Sequence, residues 1–232
     1  MYRLHVEPPT TFTESSTQKY PLILFLHGGK ERGETEERAY VQQVTFHGPW
    51  KSHGCPAYEK GQEAIAQIGR FFIAAPHLPS DTEDWQPSLL HQAFDSLVSP
   101  GSRYGRYIDT TRCYLTGLSR GGRGVLAFVL EHPRLFAAIA PLCPYDVASL
   151  EPSIAVLADL PIWFFHGSLD GLSEEGAVLD DKAVVNNSKV LYERLNSPRN
   201  GLFIIPGVGH AVWVYTYNMP SLYEWFLTHQ QG

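Results

Sequence analysis

Residues 112–126 read RCYLTGLSRGGRGVL, and this stretch decides the fold. Arg112–Thr116 is a short run with β-branched and aromatic side chains, as expected of a buried strand. Gly117-Leu118-Ser119-Arg120-Gly121 then fits Gly-x-Ser-x-Gly, and Val125, Leu126, Phe128 and Val129 follow at helical spacing as far as His132-Pro133. A serine on a sharp turn between strand and helix sits in a strained backbone conformation with its hydroxyl exposed. The flanking glycines keep side chains clear of the neighbouring strand and helix. The helix start aims free N–H groups at the place where an oxyanion forms. Such a pentapeptide arises by chance in roughly one chain in ten of this length, so the setting between strand and helix makes Ser119 a candidate nucleophile. Gly122 and Gly124 extend the small face, a packing role.

Outward from this stretch, similar apolar runs recur at Tyr20–Leu26, Arg70–Ala75, Ala137–Leu142, Pro161–Phe165 and Leu202–Ile205. Most are apolar at nearly every position, the pattern of strands buried on both faces. Helical spacing appears in Gln86–Val98 (Leu89, Leu90, Ala93, Phe94, Leu97), Asn187–Leu195 and Leu222–Thr228. Alternating strands and helices predict an α/β fold, a mostly parallel doubly wound sheet with helices on both faces. No internal repeat or linker-like tract is present, so residues 1–232 read as one domain. Lys30–Gly61 and Gly171–Asp181 read as loops, the first with one helical turn.

The chain has 232 residues, 44% hydrophobic and 18% charged, enough for one substantial core. A formal charge of −6 with no Lys/Arg-rich block speaks against nucleic acid and anionic membrane surfaces as partners. Apolar runs are strand-sized, too short to span a bilayer. Residues 1–20 lack the features of a secretory signal, which favours the cytoplasm, although a mature secreted form reads the same. Three cysteines, Cys55, Cys113 and Cys143, form no CxxC pair and read as small buried hydrophobes.

A nucleophilic serine needs a base, and the base needs an orienting carboxylate, in the chain order Ser, acid, His at strand ends. After Pro161–Phe165 comes His166-Gly167-Ser168-Leu169-Asp170, and after Leu202–Ile205 comes Pro206-Gly207-Val208-Gly209-His210. Asp170 and His210 therefore meet the order, and His210 is selected by position from ten histidines. His5, His47, His53, His77 and His91 precede the serine; His132 and His229 lie at a helix end and near the C-terminus. His166 ends a strand but is followed by the acid rather than preceded by it. Asp181 competes with Asp170 if Gly171–Asp180 is an inserted excursion, whereas Glu174, Glu175 and Asp180 read as solvated charges. The oxyanion hole requires a second N–H besides that of Arg120. The turn His27-Gly28-Gly29-Lys30 offers Gly29, with Lys30 the near alternative, and His27 and Gly28 shaping the turn.

The strings YPLILFLHGGKERG (20–33), FFIAAPHLP (71–79), YLTGLSRGGRGVLAF (114–128), HPRLFAAIAPLC (132–143), PIWFFHGSLD (161–170) and PGVGHAVW (206–213) resemble a known group. It is the phospholipase/carboxylesterase-like and predicted-peptidase branch of the α/β-hydrolases, relatives of feruloyl and polyhydroxyalkanoate-type esterases. The resemblance implies an α/β-hydrolase fold and esterase activity, with Ser119, Asp170 and His210 as triad and the N–H groups of Gly29 and Arg120 as oxyanion hole. The sequence departs from that pattern in three ways. Arg120 stands where Met or Gln is usual. The Val-Pro expected soon after the acid is absent, which keeps Asp181 in play. The N-terminus is short, implying a missing edge strand.

The expected reaction is two-step acyl transfer on a small-molecule ester, with no metal or organic cofactor. Trp85 and Trp213 lie in or beside strand-end loops and Trp50 in the first long loop. Each either walls an acyl or aromatic pocket or simply packs. Lys30–Gly61 is too polar for a broad lipid-binding lid. A small serine peptidase is the rival of the same chemistry. A non-catalytic binding protein on this scaffold is the rival from another class, against which stands the presence of all three triad types in order.

Overall fold

The computed structural model describes residues 2–33, 41, 44–50, 61–173 and 176–232. Most of Lys30–Gly61, with Cys55, and the acidic Glu174 and Glu175 thus lie outside the described residues. Seven strands form one sheet: β1 (Arg3–Glu7), β2 (Tyr20–Leu26), β3 (Phe72–His77), β4 (Ile108–Leu118), β5 (Ala138–Leu142), β6 (Trp163–Gly167) and β7 (Gly201–Ile205). Their order is β1-β3-β2-β4-β5-β6-β7, parallel except for β1, which pairs antiparallel with β3. The α-helices whose bounds lie wholly within the described residues are α1 (Gln62–Ile68), α2 (Pro87–Val98), α3 (Arg120–Glu131), α4 (Asn186–Leu195), α5 (Trp213–Thr216) and α6 (Pro220–Leu227).

Side-chain alternation explains why β2 is apolar at every position. Leu22, Leu24 and Leu26 join the core beneath α2, α3 and α4. Ile23 and Phe25 join the opposite core with Ile68 of α1 and Leu222, Tyr223 and Phe226 of α6. Each such fully buried side chain contributes about 1.5–3 kcal/mol. Both faces are thereby covered, the condition for a parallel sheet.

Differences from the sequence pattern lie at strand ends. β4 begins earlier than its apolar run, because Ile108 pairs with Tyr20, and an irregularity in register carries the polar residues 109–111 to the pair Leu22–Cys113. β6 begins after Pro161, which has no N–H for the ladder. β3 runs on through Pro76 and His77 because β1 pairs with it there, Leu4 opposite Pro76 and Arg3 opposite His77. At the N-terminal edge, β1 mixes polar and apolar residues and is largely half-buried, so a search for apolar runs passes over it. Helix ends follow local chemistry: Pro87 and Pro220 open α2 and α6, and Asn196 closes α4 in the left-handed region at φ 41°.

The chain winds from β2 outward to β3, then crosses back to β4 on the other side of β2. The winding direction therefore reverses between the carboxyl ends of β2 and β4, where an open α/β sheet forms its ligand crevice. Gly28-Gly29 ends one strand and Ser119 the other.

Candidate active site

Ser119 occupies the turn between β4 and α3 with φ 56° and ψ −118°, a strained conformation for a residue with a side chain. The strain, of the order of 1–3 kcal/mol, is tolerated because the turn is wedged. A Cβ on Gly117 would lie 2.7 Å from the Leu26 carbonyl oxygen, and one on Gly121 would overlap that oxygen outright. The Ser119 N–H donates to Leu142 O at 3.0 Å, and its carbonyl accepts the N–H groups of Arg123 and Tyr145 at 3.0 and 3.2 Å. Helix α3 begins immediately after the serine, so the Arg120 N–H has no acceptor within the helix.

Ser119 Oγ lies 2.8 Å from His210 Nε2, and His210 Nδ1 lies 2.8 Å from Asp170 Oδ2. The fold brings these three together because the two loops after β6 and β7 are stitched to each other. Ser168 N–H donates to Ile205 O at 3.0 Å, Leu169 N–H to Val208 O at 2.9 Å, and Gly207 N–H to Ser168 Oγ at 2.9 Å. The glycine-rich loop is therefore anchored. Asp181 stays exposed at the surface, and the loop turns back on itself through Leu179 and Asp180 N–H bonds to Gly171 O.

Asp170 is 1% exposed. Burial pushes its carboxyl pKa up, but hydrogen bonds from His166 and then His210 reverse this and leave it below the usual carboxylate value. Cys143 Sγ, Asp170 and His210 also lie within 4.8 Å of one another. Burial, with the Asp170 charge beside it, pushes the Cys143 thiol far up, and Sγ–H donates to His210 O at 3.4 Å.

Gly29 and Arg120 face the same cavity as Ser119, a space of about 310 Å³ among the described residues. The Gly28-Gly29 turn is held from behind by His27, as the sequence order suggests. Leu78 N–H donates to His27 Nε2 at 3.1 Å, so Nδ1 carries the proton and donates to Gly28 O at 2.8 Å. The Arg120 side chain turns away from the reacting atoms and bonds Glu83 O at 2.6 Å and Asp84 Oδ1 at 2.8 Å.

Of the tryptophans, Trp213 lines the cavity and meets the His210 ring edge-on at 5.6 Å between centroids. Trp85 does not line it, which corrects the expectation for that residue. Its indole is buried against Gly124 and Tyr2, and Nε1–H donates to His27 O at 3.2 Å. An aromatic ring at the start of α2 reaches the small face of α3 before it can reach the crevice. Trp50 is also fully buried, packed on Phe25 and His5. Sequence reasoning missed Tyr145, His47 and Glu31 in the cavity wall. Glu31 is buried, which raises its pKa, and faces His47 Nε2 at 3.4 Å. The signal for Glu31 was its place two residues after Gly29; His47 and Tyr145 carry none.

The Esterase family, described as "Putative esterase", matches residues 2–194. The chain belongs to the Esterase family. It has the α/β-hydrolase fold. Among solved structures it is similar to a thermostable esterase, at 24% identity and a TM-score of 0.69, over 98% of this chain and 59% of that one. It is similar to Est1E from Butyrivibrio proteoclasticus, at 16% identity and a TM-score of 0.63, over 97% of this chain and 93% of that one. An S-formylglutathione hydrolase from Agrobacterium tumefaciens is similar at 13% identity and a TM-score of 0.64, over 99% and 90% of the two chains. These likenesses establish the fold. The chain spans less than two thirds of the thermostable esterase's length. No curated protein matches the sequence. Among the described residues, no helix of this family member is long and apolar enough to cross a membrane.

Proposed function

We propose that the chain is a serine-dependent carboxylesterase that hydrolyses small or aromatic acyl esters through Ser119, His210 and Asp170. One observation carries the reading: Ser119 Oγ, His210 and Asp170 Oδ2 form an unbroken hydrogen-bonded line with 2.8 Å at each step. A neutral His210 Nε2 accepts the Ser119 proton as Oγ attacks the ester carbonyl carbon. The negative charge gathers on the carbonyl oxygen, where the Gly29 and Arg120 N–H groups stabilise it. The imidazolium, oriented by ionised Asp170, then protonates the departing alkoxide, which leaves as alcohol. Water, deprotonated by His210, attacks the acyl-enzyme and releases the acid with Ser119 restored.

The small cavity, walled by Tyr145 and Trp213, supports a compact acyl group over a long lipid chain. The test is labelling with a fluorophosphonate probe, comparing wild type with Ser119→Ala, alongside hydrolysis of p-nitrophenyl acetate and butyrate. Labelling and turnover that both disappear in the variant are expected. A wild type that neither labels nor turns over esters overturns the reading, and preference for peptide p-nitroanilides replaces esterase with peptidase.

A further inference from the structure

His166 is fully buried and has no part in the reaction described above, yet both of its ring nitrogens are engaged. Nε2 lies 2.9 Å from Ala183 O and 3.1 Å from Asp170 Oδ2. Both partners only accept, so Nε2 carries the proton. In the neutral ring Nδ1 is then an acceptor, and Ser188 Oγ, also fully buried at the start of α4, donates to it at 2.8 Å. The serine selects the tautomer that the acid needs.

We propose that His166 is a positioning residue for the acid, its single Nε2–H shared between Ala183 O and Asp170 Oδ2 with Ser188 locking its ring. This rests on the esterase reading. The hydrogen-bonded line then runs Ser188, His166, Asp170, His210, Ser119, five side chains from four separate segments. His210 Nδ1 and His166 Nε2 approach the same oxygen of Asp170, at 2.8 and 3.1 Å. An acid held only by His210 would be oriented by the ring it is meant to orient. His166 removes that circularity, because it is fixed from the other side by β6, Ala183 and α4. It also keeps the carboxylate charged in a site closed to water, and that charge must persist while His210 carries the serine proton. Among the described residues, the titratable groups facing Asp170 are His166 at the end of β6, His210 after β7 and Cys143 after β5.

The experiment measures kcat, KM and their pH profiles on p-nitrophenyl acetate for wild type, His166→Leu, His166→Gln and Ser188→Ala, each normalised to the fluorophosphonate-labelled fraction. Leucine should lower kcat about 10–100-fold, less than the roughly 10⁴-fold known for losing a triad acid's charge. KM should stay within about twofold, and the acid limb of kcat/KM should move to higher pH. Glutamine, whose amide N–H reaches the Nε2 position, should recover most of kcat. Ser188→Ala should fall between wild type and leucine. Leucine and glutamine variants with wild-type kcat and pH profile, or with equal losses, overturn the proposal. If the leucine variant does not fold, Ser188→Ala with an unchanged profile overturns it. A wild type that neither labels nor turns over overturns the esterase reading itself, a different result from labelled, active wild type with unaffected His166 variants.

Discussion

Ser168 Oγ accepts the Gly207 N–H at 2.9 Å, and through this bond the loop bearing Asp170 holds the loop bearing His210. Nothing in the chemistry of the triad needs Ser168, yet the 2.8 Å contact between acid and histidine depends on how these two loops are fastened. Ser168→Ala leaves Gly207 N–H to water at an exposed position. The expected cost is about 1 kcal/mol in urea unfolding, with kcat lowered about 3–10-fold as misplaced geometry lowers the productive fraction. Unchanged kcat would show the two remaining backbone bonds to be sufficient.

The choice of acid is tested directly. Asp170→Asn retains the shape but donates or accepts wrongly at Nδ1, so kcat should drop about 10⁴-fold. Asp181→Asn, at an exposed position, should leave kcat within about twofold of wild type. Steady-state kinetics on the two variants decide it.

Trp85 and Trp213 should separate by parameter. Trp85→Phe strips His27 O of its buried donor, so it should cost about 1–3 kcal/mol of stability while KM stays unchanged. Trp213→Ala should raise KM about 3–10-fold, since it opens the cavity wall beside His210. A KM change confined to Trp85→Phe would reverse the assignment.

Gly121→Ala should be severe. The added methyl overlaps the Leu26 carbonyl oxygen, and that backbone belongs to the central strand β2 and cannot move aside. Destabilisation of about 3 kcal/mol or more is expected, with probe labelling lost in whatever folds. Thermal unfolding checks it.

Acid should destabilise the fold through His27. Burial lowers its pKa to about 3, opposed by the bond to Gly28 O and assisted by His77. The unfolded chain therefore takes up a proton that the folded chain refuses between about pH 6.5 and 3. This contribution to stability is complete above that window and is lost as pH falls through it, at about 1.4 kcal/mol per pH unit. Urea unfolding at pH 7, 6, 5 and 4 should show the slope reduced by about one proton in His27→Asn, which keeps a donor for Gly28 O. An unaltered slope would assign the acid sensitivity elsewhere.

Among the described residues, six of the seven strands and four of the six named α-helices follow from apolar spacing, because burial on two faces of a sheet leaves its mark on every successive residue. β1 escapes because an edge strand is half solvated, and α1 and α5 because seven and four residues are too few for a period to declare itself. Ser119 is readable for a similar reason. Strand, turn and helix are contiguous, and the glycines that let them pack lie within two residues of the serine.

The partners of Ser119 are of another kind. His210 lies 91 residues after it, and Asp170 lies between the two, 40 residues before His210, so order along the chain narrows the candidates without bringing any two into contact. Local sequence thus specifies the alternating α/β layout, the elbow and a short set of possible acids and bases. That Asp170 rather than Asp181 meets His210, that Trp213 rather than Trp85 lines the cavity, and that His166 approaches Asp170 came from the folded molecule. Each depends on how loops from different strands close over one another, and periodicity within a segment carries no record of that.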